Sequence, residues 1–134
     1  MPIGLDPSQT APYVLRQDRE GPEEDRPTFL FHFLTRAEVR RATELRERAR
    51  QQRDNEASEQ LLDECILIGL AGWRNVNDRN GRPIQFEPTP EKLDQALTLV
   101  EKWEIANNYP AALQNAEIEM RRPRPSGANL PDES

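Results

Sequence analysis

The chain has 134 residues, 18 of them basic and 24 acidic, for a formal charge of −6. Charged residues make up 31%, hydrophobic residues 35% and aromatics 6%, with mean hydropathy −0.90. This length and polarity allow one modest domain with a thin core, exclude a transmembrane helix and disfavour a dedicated polyanion binder.

Five of the 12 prolines occur at Pro2, Pro7, Pro12, Pro22 and Pro27, and residues 1 to 12 read as a flexible arm. A short β-like run, Tyr13-Val14-Leu15-Arg16, follows. Residues 18 to 27 are almost wholly charged, Gly or Pro and read as an exposed loop. In Thr28-Phe29-Leu30-Phe31-His32-Phe33-Leu34 strand alternation puts Phe29, Phe31 and Phe33 on one face and Leu30, His32 and Leu34 on the other. Pairing this strand with residues 13 to 16 predicts a hairpin whose two apolar faces need cover from helices or from another chain.

Thr35-Arg36-Ala37-Glu38 fits a capping box, so a helix is predicted from Arg36 to Arg53. Its apolar stripe, Ala37, Val39, Ala42, Leu45 and Ala49, is narrow, and the helix should be mostly wet. A second helix, about Glu56 to Leu70, carries Leu61, Leu62, Cys65, Ile66, Ile68 and Leu70 and is the expected core helix. Asp78-Arg79-Asn80-Gly81 then predicts a turn joining residues 73–76 to residues 83–86 as a second hairpin. Thr89-Pro90-Glu91 gives an N-cap, a first-turn proline and an acidic residue, with Leu93, Leu97 and Val100 at helical spacing. That helix should reach about Ala106, break near Asn107-Asn108-Tyr109-Pro110 and resume to Met120, with Ala112, Leu113, Ala116 and Met120 on one side. Residues 123–134 read as a disordered tail. The expected fold is α+β, mainly α: three to four helices and one or two small hairpins in a single domain over residues 13–122, with flexible N- and C-terminal arms.

Little in the chain can do chemistry. His32 lies in a predicted strand and Cys65 in an apolar helix, and nothing near either in sequence would activate a nucleophile, so no catalytic residue and no cofactor are expected. Cys65 has no partner for an internal disulfide, and the start Met1-Pro2-Ile3-Gly4 lacks a signal-peptide pattern, which together predict a cytosolic protein. Val76 to Glu87 partly mimics a calcium loop, but Val76 stands where the first oxygen ligand is needed and Pro83 and Pro88 oppose the following helix, so no metal is expected. Sixteen of the basic residues are Arg, and seven of these lie between Arg36 and Arg53 against Glu38, Glu44 and Glu47. A solvated helix with pairs such as Glu44–Arg48 explains them, and an acidic protein partner is the alternative. Nucleic acid is the less favoured partner, because this helix has no aromatic to stack on bases. Trp73 and Trp103 are the largest apolar groups, and Trp73 is the expected anchor between the core helix and the turn.

The run Gly72-Trp73-Arg74-Asn75-Val76-Asn77-Asp78-Arg79-Asn80-Gly81-Arg82-Pro83-Ile84-Gln85-Phe86 lies after an apolar helix and before a capped one. It resembles the small tail assembly chaperones of long-tailed bacteriophages: Gly-Trp, a polar stretch, Asp-x-x-Gly, then an apolar-x-aromatic strand. Tyr13 to Arg19, then Pro27-Thr28-Phe29 and Leu34-Thr35, is similar to the opening of the same proteins. The matched pieces cover about residues 13 to 106, with Trp73, Asp78, Gly81 and Phe86 as the signature; residues 107–134 depart from it. The resemblance implies a non-enzymatic protein of the infected host's cytoplasm that coats the phage tape-measure protein and helps recruit tail-tube subunits. A structural virion component, such as a head or tail completion protein, is the alternative, and a nucleic-acid-binding regulator is a third reading. Self-association is expected. The expected partner surface is the strand, at Leu30, Phe31 and His32, with the adjoining helix at Arg40, Arg41 and Arg48.

Overall fold

A computed structural model describes residues 9–121. Strands β1 (Thr10–Tyr13), β2 (Thr28–His32) and β3 (Leu70–Arg74) form an antiparallel sheet in the order β1-β2-β3. Helices α1 (Arg36–Gln51), α2 (Asn55–Gly69), α3 (Pro90–Ala96) and α4 (Leu99–Arg121) complete an α+β fold that is mainly helical. Residues 1–8 of the expected arm and the whole expected tail, 123–134, lie outside the described residues.

β2 is the central strand, and its inner face is the aromatic one. Phe29 and Phe31 are each only 1% exposed. Register aligns Tyr13 with Phe29 and Phe29 with Trp73, so three aromatic residues lie in one row across the sheet. The first strand lies three residues earlier than its sequence pattern predicts. Arg16–Asp18 coils into a 3-10 turn, with the Asp18 amide donating to the Leu15 carbonyl at 2.9 Å, and Thr10–Pro12 of the expected arm take up the pairing instead. Pro12 is tolerated because β1 is an edge strand, where a missing donor leaves no ladder bond broken on the open side.

The capping box at Thr35 forms as expected. Its hydroxyl accepts from the Glu38 amide at 3.1 Å, and the Thr35 amide donates to Glu38 Oε1 at 2.9 Å. α1 buries Ala42, Leu45 and Ala49 of the predicted stripe, while Val39 is half-buried and Ala37, in the first turn, is exposed. Two of the three buried residues are alanines, and α2 sends polar side chains to their carbonyls: Ser58 donates to Ala49 at 2.8 Å and Cys65 Sγ to Ala42 at 3.3 Å. α2 is capped by Asp54, which accepts from the Glu56 and Ala57 amides, and it buries Leu62, Cys65, Ile66 and Gly69. Gly69 is required by a close approach: a Cβ there would sit 2.8 Å from a Tyr109 ring carbon.

Two elements differ from expectation. The predicted second hairpin shrinks to one bridge, Asn77 with Pro83, flanked by the Ile84 amide donating to the Val76 carbonyl at 2.8 Å. Residues 70–74 pair with β2 instead, because the open edge of β2 accepts them as soon as α2 ends. The predicted break near Asn107 is also displaced. The chain breaks at Leu97, whose backbone is extended, and Thr98 with Glu101 forms a second capping box that starts α4. α4 then runs through Pro110, held by buried Ile105, Ala106, Tyr109 and Leu113 on either side of the proline. Tertiary burial outweighs the single backbone hydrogen bond that the proline removes. The break turns Val100 outward to 77% exposure, and Ala112 is exposed as well, although both were expected on apolar faces.

Candidate functional site

Of the signature residues, Trp73 and Phe86 pack against each other beside the sheet, and Asp78 with Gly81 forms the exposed turn between them in the chain. Trp73 is half-buried and meets two rings edge-on, Phe29 at 6.0 Å and Phe86 at 5.0 Å between centroids. Its indole Nε1 donates to the Ile84 carbonyl at 2.7 Å, which ties β3 to the returning segment. The anchor is therefore wedged between β2 and residues 84–86, not between the core helix and the turn, because the row set by β2–β3 register points it there. Asp78 Oδ1 accepts from the Asn80 amide at 2.8 Å and the Arg82 amide at 3.0 Å, an Asx turn, and Gly81 takes φ of 80° as that turn requires. Among the described residues no group of three or more His, Cys, Asp or Glu is arranged to hold a metal ion.

The expected partner surface divides. Phe31 is buried and stacks on Tyr109 with centroids 4.3 Å apart, so it belongs to the core and is unavailable to a partner. A strand with two apolar faces must turn one inward, and the helices take the Phe29/Phe31 face. Leu30 and His32 lie on the opposite side, half-buried, with His32 Nδ1 3.1 Å from the Phe33 carbonyl. Arg40, Arg41 and Arg48 are exposed. Arg41 contacts Glu44 at 3.1 Å and Glu64 of α2 at 3.7 Å; Glu44 pairs there and not with Arg48 as the four-residue spacing suggested. Arg50 reaches from α1 to Asn107 of α4 at 2.9 Å.

Cys65 is fully buried, and burial pushes its thiol up to about 11. It is held as a thiol, the wrong state for a nucleophile.

The strongest electrostatic feature is one that sequence reasoning missed. Lys102, in the first turns of α4, is 0% exposed. Its ammonium donates to Glu59 Oε2 at 2.7 Å and to Asp94 Oδ1, and lies 2.8 Å from Asp63 Oδ1. Asp63 Oδ1 receives no aligned hydrogen bond, so that contact is one of charge. One cation thus joins α2, α3 and α4. Burial acts to lower the Lys102 pKa, but the surrounding carboxylates outweigh it and hold the pKa above its ordinary value. Burial likewise raises Asp63, against the pull of Lys102. A compact ammonium with three donors suits three converging carboxylates better than a planar guanidinium does. The signal was present: Lys102 takes a core position of α4, between Leu99 and Ile105, while Glu59 and Asp63 stand one turn apart on the apolar helix.

No protein-family model, curated protein or solved structure matches this chain. Among the described residues no helix is long and apolar enough to cross a membrane.

Proposed function

We propose that this chain is a non-enzymatic tail assembly chaperone of a long-tailed bacteriophage, acting in the host cytoplasm, that binds the tape-measure protein and helps recruit tail-tube subunits. The observation that carries the reading is the signature run, which carries the resemblance in sequence: the Asp78–Gly81 turn reverses the chain, and Trp73 meets Phe86 and the Ile84 carbonyl on its return. The buried thiol at Cys65 fits a protein without covalent chemistry. With Phe31 inside the core, the client-facing residues reduce to Leu30 and His32 on the outer side of the sheet and to the exposed Arg40, Arg41 and Arg48 of α1. Leu30 offers apolar contact, and the arginines select an acidic client surface.

Co-expression with the tape-measure protein tests this. The wild-type chain should keep that client soluble, while Leu30→Asp and the pair Arg40→Glu with Arg48→Glu should lose the effect with the fold retained. Mass spectrometry of purified particles should find the chain absent. An insoluble client beside a folded wild-type chain, with the chain present in particles at fixed copy number, replaces this reading with that of a virion component.

A further inference from the structure

Of the helices α1 to α4, α3 is the shortest, with seven residues, and it buries one side chain, Leu93. It lies against α2, and the residues at its two ends are extended: Thr89 at φ −130°, ψ 151° and Leu97 at φ −134°, ψ 141°. Leu97 is itself buried and so fixes the far joint. Beyond it α4 starts from its own capping box of Thr98 and Glu101 and needs no residue of α3 to begin.

The charge cluster is arranged so that α3 can leave it. Of the three carboxylates on Lys102, Glu59 and Asp63 come from α2, at 2.7 and 2.8 Å, and Asp94 comes from α3. The Asp63 side chain is 8% exposed and that of Asp94 58%. One ammonium among three ionised carboxylates leaves negative charge in excess, so Asp94 is not needed to neutralise Lys102. Without α3, Lys102 keeps both α2 carboxylates, water takes the freed donor, and no buried charge is left unpaired. Repulsion of Asp94 against Asp63 is relieved at the same time. The contact therefore matters to α3, which buries only Leu93 besides, and is dispensable to Lys102.

We propose that α3 is a strap that opens about Thr89 and Leu97, lifting Leu93 off α2 and Asp94 off Lys102 while the rest of the fold stays closed. The open state presents an apolar seat beside an ammonium, both of which the closed state covers. A seven-residue helix has no stability of its own once it leaves α2, so its amides meet solvent in the open state. The strap is a property of this fold and does not rest on the chaperone reading.

Amide hydrogen exchange of the full chain over a series of low urea concentrations tests this. The amides of Leu93 and Leu97, bonded to the carbonyls of Thr89 at 3.2 Å and Leu93 at 2.8 Å, report the strap, and those of Ile66 in α2 and Tyr109 in α4 report the core. The strap amides should exchange faster than the core amides and respond little to urea, because the opening exposes little surface, whereas the core amides should accelerate steeply. Asp94→Ala should speed the strap amides about tenfold, the effect of losing one charge-assisted hydrogen bond. Leu45→Val, in the core of α1, should speed the core amides about fivefold and leave the strap amides unchanged. One urea dependence shared by all four amides overturns the proposal, and so does a Leu45→Val variant that speeds all four alike. Strap amides indifferent to Asp94→Ala overturn it equally, since Lys102 then does not hold α3. No client is present in these measurements, so their failure leaves the proposed chaperone activity to its own test.

Discussion

Two parts of this small molecule are held together by opposite means. Around β2 the adhesive is aromatic: Phe31 stacks on Tyr109, and Phe29, Trp73 and Phe86 meet edge to face. Around the start of α4 it is ionic, with Lys102 gathering carboxylates from α2 and α3. Apolar burial is non-directional, so it accommodates the register shift between Leu30 and Phe31 where β2 pairs with β3. A buried charge cluster holds only in one arrangement and penalises every other. The short helix α3 buries a single residue, Leu93, and has little else to position it. The Asp94 contact with Lys102 gives it a defined place.

The sharpest way to break this contrast is to remove the cation. Lys102→Ala leaves buried Asp63 without its partner and should cost about 3–5 kcal/mol in urea unfolding. Lys102→Met combined with Asp63→Leu should regain most of that loss, since an apolar pair of similar volume replaces the buried charges. If the double variant is no more stable than Lys102→Ala, the cluster is not limited by charge.

On the aromatic side Trp73→Ala should cost about 3 kcal/mol, the lower end for a large ring because Trp73 is only half-buried. Near-ultraviolet dichroism and thermal melting both report it. Gly69→Ala drives a methyl towards the Tyr109 ring and should cost about 1–3 kcal/mol by overpacking.

Alkaline titration reads out the buried titratable groups. The folded pKa of Lys102 and that of Cys65, at about 11, both lie above their ordinary values. Each group therefore contributes stability that is complete below its unfolded pKa and is lost as pH rises through the folded one. The melting temperature should fall from about pH 9 upward, and Cys65→Ala should remove the earlier part of the fall while leaving the part due to Lys102 and to Tyr13 and Tyr109, whose pKa values burial also raises.

The smallest expected effect is at the turn. Asp78→Ala removes two exposed side-chain hydrogen bonds and should cost about 1 kcal/mol. Added calcium or chelator should leave the melting temperature where it is, because the Asp78 carboxylate is engaged in its own turn. A calcium-dependent rise of several degrees would reassign residues 76–87 to metal binding.

Local signals in the chain were enough for whatever local physics controls. The capping box of Thr35 and Glu38, the proline-led start of α3, the alanine stripe of α1, the apolar run of α2 and the Asp78 to Gly81 turn all rest on contacts within a few residues, and all were legible, as was the α+β class. What the sequence left open was decided by contacts between segments far apart in the chain. Phe29, Phe31 and Phe33 on one side and Leu30 and Leu34 on the other make both faces of the strand apolar, and the packing of Phe31 on Tyr109 tells which side faces inward. Pro110 reads as a helix breaker until the burial of Ile105, Ala106, Tyr109 and Leu113 is known, and Lys102 reads as a surface charge until Glu59, Asp63 and Asp94 converge on it. The reason is common to all three: a side chain's type sets the cost of burying it, but the free energy that offsets that cost comes from partners 8 to 78 positions away, and only the folded chain brings them within reach.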